Sequence, residues 1–131
     1  MCIFCDIVKK EIPSYTLYED DVCMAFLDIS QVTKGHTLIV PKQHYDHLLA
    51  CDEETLAHMM KVAKQLGNEL MVKLNASGMN VLSNVNEVAG QSVHHFHIHL
   101  IPRYTEADAC VIKFNESEEQ DLPALQAFLT K

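Results

Sequence analysis

No stretch of this chain is apolar for the ~20 residues that a bilayer-spanning helix needs, which excludes an integral membrane helix and any membrane partner read from hydropathy. The N-terminus, Met1-Cys2-Ile3-Phe4-Cys5-Asp6, lacks a basic segment followed by an apolar stretch and a small-residue cleavage site. No secretory signal is read, and the cytoplasm is the expected location. Basic residues are scarce: 10 Lys and Arg stand against 18 Asp and Glu, a net charge of −8. That balance argues against the broad phosphate-backbone footprint of a nucleic-acid-binding protein. A small anionic ligand stays open, because a few backbone N–H groups and histidines can hold one whatever the overall charge. The 5 cysteines are odd in number and lack a regular framework, which excludes a disulfide scaffold and implies thiols that are free or metal-bound. With no repeat, low-complexity tract or Pro/Gly-rich linker to divide it, the chain is expected to form one domain over residues 1–131.

What is present is globular composition, 48% hydrophobic and 21% charged. Tyr15–Glu19 and Val22–Asp28 read as short strands joined through Asp20-Asp21, and His36–Pro41 as a third, rich in Thr, Ile and Val. From Asp52 to about Leu74, apolar residues such as Leu56, Met59, Ala63, Leu66 and Leu70 recur at three- and four-residue steps. This predicts a long amphipathic helix with Asp52 as its N-cap, ending at Asn75-Ala76-Ser77-Gly78. A strand over Asn80–Asn84, a loop over Val85–Gln91 and a strand over Val93–Ile101, stopped by Pro102, should follow. Leu122 to about Leu129 reads as a short closing helix with Asp121 before it and Pro123 in its first turn. The class is α+β.

His95, His97 and His99 alternate with Phe96, Ile98 and Leu100. On an extended strand this spacing sends three imidazoles to one face, neighbours roughly 6.6 to 7 Å apart, and three apolar side chains to the other. Imidazoles titrate near pH ~6.5 and serve as nucleophile, acid or base, so reaction at phosphorus suits them.

The run Gly90-Gln91-Ser92-Val93-His94-His95-Phe96-His97-Ile98-His99-Leu100-Ile101-Pro102 resembles the signature of the histidine triad (HIT) family. Phe26-Leu27-Asp28-Ile29-Ser30 and Gly35-His36-Thr37-Leu38-Ile39-Val40-Pro41-Lys42-Gln43-His44 resemble the family's two earlier blocks, so the likeness covers about residues 2–103 and leaves 104–131 as a C-terminal segment without a motif. The resemblance implies a five-stranded antiparallel sheet with one long central helix and a short C-terminal one, continuous across a homodimer. It implies hydrolysis at the α-phosphorus of a purine nucleotide, adenosine-containing, through a nucleotidyl-histidine intermediate. By that likeness the catalytic group is His95, His97, His99 and Ser92, with His97 the nucleophile and His99 a contact to the phosphoryl oxygens. Substrate is bound by Asp28, which would grip the ribose hydroxyls, by Ile29 with Phe4, Ile7 and Leu27 as apolar walls, and by Asn84, Ser92 and His99.

Cys2 and Cys5 form a C-x2-C pair, and some bacterial relatives bind zinc through such a pair together with the histidines that match His44 and His95. A Cys2His2 set suits a closed structural tetrahedron; no organic cofactor is implied. Cys23, Cys51 and Cys110 are read as structural thiols, and His36, His47, His58 and His94 as bystanders. Ser92 favours the branch that cleaves nucleoside 5′-phosphoramidates. The alternatives are cleavage of dinucleoside polyphosphates of the diadenosine tetraphosphate type and, from a different class, a nucleotide-binding or protein-interaction module whose hydrolysis is vestigial.

Overall fold

The computed structural model describes residues 2–131. A short helix, α1 (Ile3–Val8), opens the chain; Cys2 caps it, its Sγ accepting from Cys5 N–H at 3.4 Å. The strands β1 (Thr16–Glu19), β2 (Cys23–Leu27) and β3 (Thr37–Pro41) follow, then the long helix α2 (Glu53–Lys73), β4 (Gly78–Leu82), β5 (Ile98–Arg103) and α3 (Leu122–Leu129). All strand pairs are antiparallel, in the order β1-β2-β3-β5-β4. Asp20 makes the β1–β2 turn, Oδ1 accepting from Val22 N–H at 2.7 Å and Cys23 N–H at 2.9 Å. Asp52 caps α2 as its position implied, its carboxylate accepting from Glu54 and Thr55 N–H.

The sheet is covered on both faces, which explains why β2 and β3 are buried at nearly every position. On one face Cys23, Ala25, Ile39, Ile98 and Leu100 pack against Met59, Val62, Ala63, Leu66 and Leu70 of α2. On the other, Met24, Phe26, Leu38 and Val40 pack against Phe4 and Ile7 of α1. Leu38 pairs with His99 in the β3–β5 register, so the odd-numbered histidines belong to the α1 face and their apolar neighbours to the α2 face. The β2–β3 connection closes tightly at Gly35, whose φ of +94° suits glycine and where a Cβ would overlap the Leu74 side chain.

The expected strand over Val93–Ile101 is shorter at its start and longer at its end. It begins at Ile98 because residues 91–97 hydrogen-bond to loops instead of to a ladder, and it passes through Pro102 to Arg103. Ser77 N–H donates to Arg103 O at 2.8 Å, so Arg103 faces β4. Pro102, one residue back, faces the side on which β3 pairing has already ended at Leu100, and its missing N–H costs nothing. β4 starts two residues before the expected Asn80, once Asn75 (φ 52°) has ended α2. α1 was not expected: six residues are too few to show a helical period. Among the described residues, no helix is long and apolar enough to cross a membrane.

Candidate active site

The stretch ahead of β5 is held by the buried Gln91. Its Nε2 donates to Asp46 O (2.6 Å) and Val93 O (3.1 Å), and its Oε1 accepts from Asn86 N–H (2.8 Å). Phe96 N–H donates to Tyr45 O at 2.6 Å, and Ser83 Oγ–H donates to His97 O at 2.6 Å. These bonds satisfy the backbone where no strand does and aim three imidazoles toward α1, with Phe4 edge-on to His95 and His97 at centroid separations of 5.9 and 5.0 Å.

Each ring has a defined partner. His95 is fully buried, and its Nε2–H donates to Pro41 O at 2.9 Å. His97 Nδ1–H donates to His95 O at 2.7 Å. Because a carbonyl oxygen only accepts, the proton of His97 sits on Nδ1 and the lone pair on Nε2. His99 Nδ1 shares a 2.9 Å hydrogen bond with His36 Nε2, and those two rings stack at 5.2 Å. Burial pushes the pKa of His95, His97 and His36 below the ordinary value. His99 is lowered to about 4 by burial first, then by the neighbouring His97 and His36. The cluster is therefore neutral at neutral pH.

Asp28 follows β2, and its Oδ1 accepts from Ser30 N–H at 2.7 Å while Oδ2 lies 3.7 Å from His36 Nε2. Beside it an apolar slot of about 130 Å³ runs between α1 and the sheet, walled by Phe4, Ile7, Ile12, Phe26 and Leu38, with Asp28 and the 87%-exposed Ile29 on its rim residues. Asn84 packs its amide against Gly90, whose φ is +104°. Ser92 is exposed and, among the described residues, makes no hydrogen bond to an imidazole. A larger hollow of about 370 Å³, on α2 around Asp52, Thr55, His58 and Lys61, contains none of the triad histidines.

Cys2, Cys5, His44 and His95 bring four donor atoms within 4.8 Å of one another. Cys2 Sγ and Cys5 Sγ lie 3.3 and 3.4 Å from His95 Nδ1, Cys5 Sγ lies 3.3 Å from His44 Nδ1, and the two Nδ1 atoms are 3.2 Å apart. Both rings spend their Nε2–H elsewhere, His95 on Pro41 O and His44 on Asp46 Oδ1 at 3.1 Å, so both lone pairs face one point. Zn–N bonds of about 2.0–2.1 Å in a tetrahedron require N···N edges of roughly 3.3–3.4 Å. The donor set fits that ion, and each histidine of the set already has the outer hydrogen bond that a zinc ligand needs. A second group, Asp20, Cys23 and His58, is closed upon itself: Tyr18 O–H and His58 Nε2–H both donate to Asp20 Oδ2 at 2.6 Å.

Sequence reasoning set His36 aside as a bystander, and the structure corrects this: among the described residues it is the one side-chain partner of His99 Nδ1. A histidine opening the largely apolar block Thr37–Pro41 was the signal. Gln91 and Gln31 were missed as well; Gln31 Nε2 donates to Asp28 O and His36 O, and its Oε1 accepts from Gly35 N–H. His58 and His94 pair with Asp20 and Glu87, away from the triad.

The HIT domain model matches residues 9–106. The chain is 46% identical over 122 residues to an uncharacterised HIT-like protein of Methanocaldococcus jannaschii, covering 93% of each. It is 41% identical over 117 residues to an adenosine 5′-monophosphoramidase of Saccharomyces cerevisiae, covering 89% of this chain and 72% of that protein. The crystal structure of a HIT family protein from Bacillus anthracis superposes with a TM-score of 0.92 at 42% identity, over 98% of this chain and 92% of the other.

Proposed function

The chain belongs to the HIT domain family, and from that premise we propose that it hydrolyses nucleoside 5′-phosphoramidates of the adenylyl-amine type at the α-phosphorus, with His97 as nucleophile. The observation that carries the reading is the His97 Nδ1–H···O=C bond of His95, which leaves a neutral imidazole with its lone pair on Nε2. An imidazole in that state needs no base to remove a proton before it attacks. A Nε2–P bond forms as the P–N bond to the amine breaks, and the amine leaves with a proton taken up from solvent, which the water of the second step returns as it loses its own to the phosphate and solvent. Water then attacks the nucleotidyl-histidine, giving the nucleoside monophosphate and returning the lone pair to Nε2.

The other groups fall into place around that step. His99, paired with His36, faces the phosphoryl oxygens and stabilises charge that grows in the transition state. Asp28 accepts from the ribose hydroxyls, the slot between Phe4, Ile7 and Phe26 takes the purine, with Ile29 at its side, and Asn84 and Ser92 contact the phosphate or the departing amine. Cys2, Cys5, His44 and His95 hold a zinc ion whose role is structural: with four protein ligands it ties α1 to the triad and fixes the ring of His95. We further propose one domain over residues 1–131 and a cytoplasmic homodimer with a continuous sheet. The half-exposed Val81 on the edge strand β4 and the bare apolar side chains of Phe114 and Phe128 support the dimer.

The test compares kcat/KM for a fluorogenic adenosine 5′-phosphoramidate and for diadenosine tetraphosphate, in the wild type and His97→Ala. Turnover of the phosphoramidate that vanishes in the variant is the expected result. Preference for the tetraphosphate would move the reading to the polyphosphate branch, and nucleotide binding without turnover of either would make the chain a binding module.

A further inference from the structure

Cys2 and Cys5 do more than supply two of four ligands, because they bracket Ile3 and Phe4, which wall the apolar slot. The same four-donor cluster therefore anchors one side of the nucleotide-binding surface. Each cysteine is part-exposed, and the two sulfurs lie within 4.8 Å of each other, close enough to react together once either is oxidised.

We propose that Cys2 and Cys5 are a peroxide-sensitive modification site: oxidation joins them in a disulfide, releases the metal and weakens nucleotide binding by freeing α1 from His95. This rests on the zinc and nucleotide-site readings above. The chemistry balances with a peroxide as oxidant. Each thiolate gives up one electron as the S–S bond forms, the peroxide takes up two electrons and two protons and leaves as two waters, and zinc departs as the divalent ion it already was. A disulfide sulfur is no longer a thiolate and does not hold zinc. Drawing the sulfurs to a bond of about 2.05 Å also moves them off the imidazoles they now face at 3.3–3.4 Å.

The consequence falls on binding more than on the chemical step. His95 keeps its Nε2–H bond to Pro41 O, and its carbonyl still holds His97, so the nucleophile stays oriented without the metal. Phe4 and Ile7 lose the tether at the start of α1 and are then held by their packing against Met24, Phe26, Leu38 and Val40. A proline-free start of six helical residues has little stability of its own.

The experiment loads the full chain with zinc under reducing conditions, adds hydrogen peroxide, and follows three readouts: zinc captured by a chromogenic chelator, intact mass with peptide mapping, and affinity for adenosine monophosphate by calorimetry. Expected are release of the bound zinc in step with the loss of two hydrogens from the peptide holding Cys2 and Cys5. The nucleotide Kd should rise about tenfold, equivalent to ~1.4 kcal/mol, and dithiothreitol with zinc should restore both. Zinc retained under peroxide, a mass gain from added oxygen in place of the disulfide, or an unchanged Kd after zinc release would each overturn the inference while leaving the zinc reading standing. Reduced protein that takes up no zinc would overturn the zinc reading and this inference together.

Discussion

Acid should weaken this fold through His99 in a way that one substitution removes. The free imidazole titrates near 6.5, and in the folded chain burial and the facing His97 and His36 lower His99 to about 4. Between those values the unfolded chain has a protonated His99 and the folded chain a neutral one, so the unfolded state binds more protons. Stability is therefore fully present above pH ~6.5 and is lost as pH falls toward ~4. At ~1.4 kcal/mol per unit the whole shift corresponds to roughly 3 kcal/mol. His99 is only part-buried, so solvent screening reduces this to about 1.5 kcal/mol. Urea unfolding of wild type and His99→Gln at pH 7 and at pH 4.5 measures it. Acid also protonates the other lowered histidines in both proteins, so the difference between their pH slopes reports His99 together with its coupling to His36 and His97. The wild type should lose about 1.5 kcal/mol more than the variant between the two conditions. Equal losses would refute the assignment of His99 as a neutral, desolvated group.

Removing the partner of His99 should act on rate: His36→Ala leaves Nδ1 without its 2.9 Å hydrogen bond, and kcat on the phosphoramidate should fall on the order of 10- to 100-fold with KM changed little. Steady-state kinetics checks this, and a change confined to KM would contradict it. Gly35→Ala forces a side chain into a positive φ and onto Leu74, and should cost about 2–3 kcal/mol by thermal or urea unfolding; a neutral result would mean that the β2–β3 turn relaxes.

Much of this site was legible because it rests on local spacing. The two-residue period of His95, His97 and His99 put the rings on the α1 face and their neighbours in the α2 core, even though only the last of the three lies in a strand. Asp52 and the three- and four-residue apolar steps marked α2, and Asp121 with Pro123 marked α3, because caps and periodicity are written in consecutive residues. What escaped depends on distant pairing. His36 meets His99 only through the β3–β5 register, across 63 positions, and in the chain it is one polar residue at the start of an expected strand. Pro102 reads as a strand stop until the place where β3 ends is known. The start of β5 was missed because Gln91 and Ser83, not a neighbouring strand, satisfy the backbone there. Cys2 and Cys5 pointed to a metal only through their likeness to other proteins; the three-dimensional cluster supplies the physical ground in two lone pairs facing one point.

The proposed hydrolysis turns on a covalent bond between His97 Nε2 and phosphorus. The most direct test mixes enzyme with an adenosine phosphoramidate, quenches in alkali within the first turnover and reads the intact mass and the modified peptide. The expected result is an adduct of one nucleoside monophosphoryl group on His97 that forms and decays at rates consistent with kcat and is absent from His97→Ala. Product formation with no adduct at any time, or an adduct that persists in His97→Ala, would contradict it.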